Sequence, residues 1–385
     1  MPFISPANLD GSRWVVSSVS SLSGAGLRHA RLLPAKSVLV SCIGILGKVG
    51  QSPVPVATNQ QLNAIIPGPG VDAHFLYYAA HRFKNQLEQE AGLQVVPIVN
   101  KTRFSTVPLQ LPPLSEQQRI AEILDTLDEA IRKTEQLIAK LKQVKQGFLH
   151  DLLTRGIDDN GELRDPARHP EQFKDSPLGL VPLEWEVTSI ADLCASVIDC
   201  PHSTPIFMTD GLLVARTSNI KAGRFDGNGA SKVSEGEYAR RIVRLEPRPG
   251  DVIFTREAPV GEAFVIPDGM RICLGQRVML LRPNPRRLDP HYLVAQVYSG
   301  AVARRIELLT GGTTNPHLNV ADIRDFPIPA PPVHEQYRIA SALGDHDRWL
   351  DHEAIAVGKL RLIKVGLMED LLTGRVRVPV GVGKS

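Results

Sequence analysis

The sequence predicts an α+β chain. Two globular domains alternate with two long helices, the helices pair antiparallel as a coiled coil, and the halves are related by a pseudo-two-fold internal repeat. Three observations carry that prediction. They are a heptad seam over residues 115–155, a gapless second copy of it 219 residues later, and a charge balance that separates the globular parts from the helices.

Within the first helix, apolar residues alternate at four- and three-residue spacing through Ile120, Leu124, Leu127, Ile131, Ile138, Leu141, Phe148 and Leu152. Thr134 and Lys145 occupy the two seam positions that break the run. A period of 3.5 marks a coiled-coil seam, whereas an ordinary surface helix shows a broader stripe. Ser115 with Gln118 has capping-box spacing, Pro112-Pro113 stops any helix upstream, and Gly156 is placed as the residue just past the C-terminus. Asp128 with Arg132 and Glu129 with Lys133 are i,i+4 pairs for the solvated side. At ~1.5 Å per residue such a helix is a rod of roughly 60 Å, which cannot bury its seam alone.

Its partner lies in the same chain. Residues 327–373 repeat 108–154 without a gap: Pro331-Pro332 answers Pro112-Pro113, Glu335-Gln336 answers Glu116-Gln117, and Arg338-Ile339-Ala340 answers Arg119-Ile120-Ala121. The second seam runs Ile339, Leu343, Leu350, Val357, Leu360, Leu367 and Leu371, with polar intrusions at His346, Glu353 and Lys364. Polar seam residues fix register at a cost in stability.

Composition bounds the rest. The apolar fraction of 43% allows sizeable cores. No apolar run reaches the ~18 residues of a membrane helix, and the N-terminus lacks a basic-then-apolar leader pattern. Cys42, Cys194, Cys200 and Cys273 are scattered, which fits a reducing cytoplasm. Residues 1–111 hold 9 Lys/Arg against 4 Asp/Glu, and residues 213–310 hold 16 against 10. Residues 112–158 hold 7 against 8, and 328–376 hold 6 against 7. Basic globular parts and neutral rods are a footprint compatible with nucleic acid.

The repeat also extends upstream of the rods. Asn100 matches Asn319, Asp72-Ala73-His74 faces Asp289-Pro290-His291, Lys36-Ser37-Val38 faces Gly250-Asp251-Val252, and Asn8 faces Asn219. Residues 37–42, 63–66, 251–255 and 277–281 read as short buried strands, and 72–89 and 289–309 as helices on that sheet. Residues 157–176 are charged and show no apolar period, and so read as a surface linker. The expected divisions are therefore a domain over 1–111, a helix over 112–156, the linker over 157–176, a domain over 177–327, a helix over 328–376 and a tail over 377–385. The second domain carries a long lead, residues 180–214, that the first lacks.

The order of parts, the Pro-Pro-x-x-Glu-Gln-x-Arg-Ile-Ala motif opening each rod and the Asp-Leu-Leu-Thr motif closing it resemble the specificity subunit of type I restriction–modification enzymes. So do the linker and the Trp185-Glu186-Val187 start of the second domain, and the resemblance spans nearly the whole chain. It implies that each domain is a target recognition domain reading one half of a split double-stranded DNA site. The paired rods would act as spacer and docking surface for methyltransferase (modification) subunits, with restriction/translocase subunits completing the complex. Chemistry would belong to those partners, so the chain itself is expected to be non-catalytic, to need no cofactor and to contact no membrane. The missing lead departs from the family pattern and shifts the expected burden of reading to the second domain.

No catalytic constellation stands against this. The terminal Gly383-Lys384-Ser385 lacks the first glycine and the following helix of a phosphate loop. Cys194, Cys200 and His202 lack a fourth ligand and finger spacing, so no metal site is expected. Candidate DNA contacts are polar and basic loop residues, because loops carry recognition on a rigid scaffold. In the second domain they are Arg216, Ser218, Asn219, Lys221, Arg224, Arg256, Gln276, Arg277, Thr313, Thr314 and Asn315. The first domain offers Asn8, Lys48, Asn59, Gln60, Lys101 and Arg103. Arg reads guanine and Asn or Gln reads adenine through paired hydrogen bonds, while Lys more often holds phosphate. For each residue the competing interpretation is a solvated charge or a turn-forming Asn. Two rivals stand beside the recognition subunit. One is a truncated or silent copy that no longer assembles, and the other is a stand-alone nuclease.

Overall fold

The computed structural model describes residues 1–16, 18, 20–92, 95–314 and 316–379. The chain divides into two compact units, Met1–Leu137 with Glu353–Ser385, and Ile138–His352. Each unit combines one globular domain with one half of each long helix.

The first unit opens with β1 (Pro2–Ile4), β2 (Ser20–Ser21), the helical turn α1 (Gly24–Leu27) and β3 (Val38–Ser41). Then come β4 (Val49–Gln51), β5 (Ala57–Thr58) and β6 (Leu62–Ile65), followed by α2 (Ala73–Ala80), α3 (Phe83–Ala91), α4 (Lys101–Ser105) and the long α5 (Leu114–Thr154). β3 is buried along its whole length and forms the centre of an antiparallel sheet ordered β4-β3-β6. β1 pairs antiparallel with β2 and parallel with β5. Asp72 caps α2 by accepting from the backbone N–H groups of His74 and Phe75, and Asn100 caps α4 through Arg103 N–H. The core sets Val38 and Val40 against Phe75, Tyr78, Phe83 and Leu87 of α2 and α3, and takes in Ile120 and Leu124 of α5.

The second unit follows with β7 (Phe173–Ser176), β8 (Gly179–Pro182), β9 (Glu186–Ser189), α6 (Ile190–Leu193) and β10 (Cys194–Asp199). Next are β11 (Phe207–Met208), β12 (Leu212–Ala215), β13 (Ile220–Lys221), β14 (Arg224–Phe225), β15 (Lys232–Val233) and α7 (Glu235–Arg241). β16 (Val252–Arg256), β17 (Val260–Val265), β18 (Ile272–Leu274) and β19 (Val278–Pro283) complete the sheets. α8 (Pro290–Ser299), α9 (Ala301–Thr310), α10 (Val320–Arg324) and β20 (Pro327–Ala330) lead into α11 (Val333–Leu372). The sheet β10-β19-β16-β17 is antiparallel throughout, and β12 runs parallel to β18 as β1 does to β5. Element by element, β12, β16, β17, β18, β19, α8, α9 and α10 repeat β1, β3, β4, β5, β6, α2, α3 and α4.

In both units the long helices run antiparallel. In the first, Asp128 and Glu135 of α5 pair with Lys364 and Arg361 of α11. In the second, Lys145 of α5 pairs with Asp347 of α11. Asp128 and Asp347 are repeat equivalents, as are Lys145 and Lys364, so one ion pair is written twice by pseudo-symmetry. The two seam lysines therefore never meet; each finds an aspartate. Every seam position foreseen on α5 and α11 is buried or half-buried.

Several expectations change. The helices read over 72–89 and 289–309 are each broken in two. At the second break, a Cβ on Gly300 would lie 1.8 Å from Gln296 Oε1, and that side chain accepts from Ala301 N–H and donates to Tyr292. Asp128 does not pair with Arg132, because it faces Lys364 and accepts from the Tyr78 hydroxyl at 2.8 Å; Arg132 turns to Glu129 instead. Residues 157–176 are also more than a surface linker. Ile157 and Phe173 are buried, and Arg164 is drawn onto Glu335. The repeat reaches further upstream than the Asn8 match suggests, since β1 already stands for β12.

The rod-opening motif now has a physical reason. Gln117 accepts from Asp72 N–H and donates to the carbonyls of Gly70 and Pro112. Gln336 does the same with Asp289 N–H, Arg287 and Pro331. Glu335 accepts from Ile157 N–H, Arg164 and the Trp185 indole. Glu116 accepts from Arg377 and Val378 N–H, which hold its carboxyl below the usual range. All four side chains are buried, and buried polar groups persist only when satisfied.

Candidate nucleic-acid interface

Parallel strands end on the same side, and that decides which candidates meet in the second unit. β12 and β18 finish together, and Gly275 N–H donates to Ala215 O at 2.9 Å. Arg216 and Gln276 are therefore neighbours, with Arg277 next in the chain. Arg216 stacks its guanidinium over Phe207 at 5.2 Å and donates to Ser231 at 3.2 Å. Gln276 accepts from Thr204 at 3.5 Å. Arg277 has φ 67°, a strained left-handed conformation for a non-glycine residue, and its side chain stays half exposed beside Glu257 at 3.4 Å. Glu257 also approaches His317 at 3.5 Å, which brings the end of the Gly311–Gly312 loop to the same edge. An exposed guanidinium on an aromatic ring, a second on a strained turn and an amide between them are the groups that read base edges.

The other candidates divide. Arg256 is buried, pairs with Asp199 at 3.3 Å and donates to Leu318 O, so its guanidinium is spent on holding loops together. Asn219 is buried and donates to Asp226 O. Arg224 lies on the β13–β14 hairpin and is paired with Asp351 of α11 at 2.7 Å; Lys221 on the same hairpin is exposed. Ser218 and Thr314 are exposed, Thr313 donates to Thr310 O, and Asn315 lies outside the described residues, as do residues 383–385 of the phosphate-loop mimic.

At the equivalent edge of the first unit, Asn59 N–H donates to Ile4 O at 3.0 Å. The positions corresponding to Arg216, Gln276 and Arg277 are Ser5, Gln60 and Gln61, which carry no charge. Asn59 is tied up with Gln61, and Asn8 accepts from Ser5 N–H. Lys48 is half-buried on the β3–β4 turn. Lys101 and Arg103 are exposed on α4, where Arg103 donates to Glu90 O. Sequence reasoning missed Phe207, Thr204 and His317. The apolar Ile206-Phe207-Met208 run upstream of Arg216 was the available signal, and all three residues are exposed.

Among the described residues no three His, Cys, Asp or Glu side chains are placed to hold a metal. Burial pushes the Cys194 thiol up to about 12, the Cys273 thiol up to about 11 and the Cys200 thiol upward too, all away from the thiolate a metal needs.

Comparison with known proteins resolves the family. The profile of the type I restriction modification DNA specificity domain matches residues 1–143 and 182–356. The chain belongs to that family. It is a specificity subunit, the non-catalytic DNA-recognition component of a type I restriction–modification system. The type I restriction enzyme MjaVIII specificity subunit of Methanocaldococcus jannaschii is 24% identical over 345 residues, covering 86% of this chain and 76% of the relative. The Escherichia coli EcoBI specificity subunit is 21% identical, covering 74% and 61%. The crystal structure of a type I S subunit from M. genitalium superposes with TM-score 0.53 at 15% identity over 88% of this chain and 83% of that one, a likeness of fold. No helix of the specificity subunit, among the described residues, is long and apolar enough to cross a membrane.

Proposed function

We propose that this specificity subunit reads a bipartite double-stranded DNA site, one half through each globular domain, with domains near 1–111 and 177–327. The paired helices near 112–156 and 328–376 would dock methyltransferase subunits, with restriction subunits joining them in the cytoplasm. The observation that carries the reading is the strand-end edge of the second unit, where Arg216, Gln276 and Arg277 converge. Bidentate arginine and glutamine contacts are worth about 1–3 kcal/mol of discrimination each. The repeated topology supports two half-sites, because two copies of one domain present two copies of one reading edge. The relatives' names support assembly with partner subunits.

The test is co-expression with the methyltransferase subunit and mapping of methylated positions in host DNA. A split motif with a fixed gap is expected, and Arg277→Ala should relax one half of it only. A continuous motif, or equal loss of both halves, would overturn the bipartite reading.

A further inference from the structure

Arg241 ends α7, and its side chain is 2% exposed. Its Nε donates to Leu274 O at 2.7 Å and its Nη1 to Ser203 O at 3.2 Å. Leu274 closes β18 two residues before Gln276, and Ser203 precedes Thr204, whose hydroxyl reaches Gln276 Oε1 at 3.5 Å. One buried guanidinium therefore holds the backbone on both sides of the Thr204–Gln276 contact. Arg244 fixes the start of the same loop through Asp199 O at 3.2 Å, while Ser203 and Thr204 stay exposed. Stability does not call for an arginine at this place. Its carboxylate partner Glu237 lies at 3.5 Å, and apolar residues often replace a buried ion pair without loss of stability. What apolar residues cannot do is satisfy two carbonyls from segments distant in the chain. The first unit supplies the contrast. Ser23 and Ser234 cap α1 and α7 through the same bond, to the N–H of the third helical residue. Counted from those caps, Arg241 falls on Ala30. The unit whose three edge positions carry no charge also lacks the clamp.

We propose that Arg241 is a positioning residue for base reading. It touches no DNA; it sets where Gln276 and Thr204 stand relative to each other. With Thr204 donating to Oε1, the Gln276 amide keeps one orientation, and its Nε2 donors and a second Oε1 lone pair are left for a base. Adenine presents the matching edge, an N7 acceptor beside an N6 donor. An amide released from Thr204 can flip, exchanging donor for acceptor, and its preference for that edge is lost. The inference rests on the reading that this edge contacts bases.

The experiment selects from a pool of duplexes of randomised sequence, using the full chain with its methyltransferase partner at fixed salt, and sequences what is bound. Gln276→Ala identifies the base position that Gln276 reads. Arg241→Lys should flatten the preference at that position about tenfold and spare the other positions, since one ammonium nitrogen cannot stand at both Nε and Nη1. Arg241→Met combined with Glu237→Leu removes the buried pair as a whole, and should keep the fold yet flatten the same position. Thr204→Val, an exposed change, should do so too. In a Gln276→Ala background Arg241→Lys should cost nothing further there, because the two residues act as a unit. Arg240→Lys, 69% exposed on the same helix, should leave every preference intact. Unfolding temperature and total affinity for the pool are measured alongside, since a merely stabilising arginine would lower both and spare the preference. Flattening of all positions alike, additive losses in the Gln276→Ala background, or a parental preference in the Arg241→Met, Glu237→Leu chain or in Thr204→Val would each overturn the positioning role and leave the reading edge standing. A Gln276→Ala chain with the parent's preferences would overturn the reading of the edge, and this inference with it.

Discussion

The two strand-end edges are built on the same hydrogen bond yet carry different chemistry. In the first unit Ser5, Gln60 and Gln61 stand at the junction closed by Asn59 N–H and Ile4 O. In the second, Arg216, Gln276 and Arg277 stand at the junction closed by Gly275 N–H and Ala215 O. The repeat conserves what the backbone must do and leaves free what the side chains can say to DNA. The rod openings differ in the same manner. Glu335 and Glu116 are equally buried, but Glu335 holds a guanidinium and an indole that are themselves largely or wholly enclosed, whereas Glu116 holds Arg377, 69% exposed. A shared frame therefore carries unequal loads.

The largest expected effect tests that inequality. Glu335→Ala would leave Ile157 N–H, the Trp185 indole and Arg164 without their acceptor. Breaking a buried charge pair costs about 3–5 kcal/mol. Glu116→Ala should cost about 1 kcal/mol or less, because the exposed Arg377 can return to water. Thermal unfolding of the two variants measures the difference, and equal losses would erase the contrast.

Acid should separate the units next. His81 of the first unit is pushed down to about 4 by burial, with the Lys364 cation adding to the effect, while its repeat equivalent in the second unit is Tyr298. An unfolded histidine titrates near ~6.5. The His81 contribution is therefore complete above about pH 6.5 and is lost as pH falls toward about 4, as the unfolded chain binds the extra proton. A loss of about 2–3 kcal/mol follows over that window. Asp125 acts below it: burial alone would raise its carboxyl, but hydrogen bonds from Tyr78 and His74 and the Arg13 cation hold it low. Hydrogen exchange read at Ala73–Ala80 should accelerate between pH 6.5 and 4 more than at Pro290–Ser299, and His81→Phe should abolish the difference. An unchanged profile in that variant would remove His81 from the account.

For DNA, Arg216→Ala or Arg277→Ala should cost about 1–3 kcal/mol of discrimination between a target and a scrambled duplex. Lys101→Ala or Arg103→Ala should weaken both duplexes alike, as a phosphate contact does. Arg224→Ala should act mainly on stability, through the Asp351 pair. Titrations at fixed salt with the methyltransferase partner present would show the ranking, and equal selectivity losses from both domains would end it. The smallest effect lies in the seam, where Leu127 of α5 corresponds to His346 of α11. Both ring nitrogens of His346 are buried without a hydrogen-bond partner. His346→Leu should raise stability by about 1 kcal/mol, while Leu127→Asp should lower the unfolding temperature. A His346→Leu chain that melts no later than the parent would mean that the histidine is accommodated there.

By itself the sequence determined the architecture: the seam from Ile120 to Leu152, its second copy from Ile339 to Leu371, Gly156 past the helix end, and the strands around Val38 and Val252. These follow from local periodicity and from identity between the halves, both of which are written along the chain. Tertiary structure alone decided what each polar residue is engaged with. Arg256, Asn219 and Arg224 look like Arg216 and Arg277 in sequence, yet the first two are enclosed and the third is bound to Asp351. Whether a guanidinium meets a carboxylate, a carbonyl or open solvent depends on neighbours distant in the chain. Glu335 shows the same limit from the other side. Its identity marked the motif, but its burial against Ile157, Arg164 and Trp185 needed the fold, because a charge can be taken out of water only where donors from several segments converge.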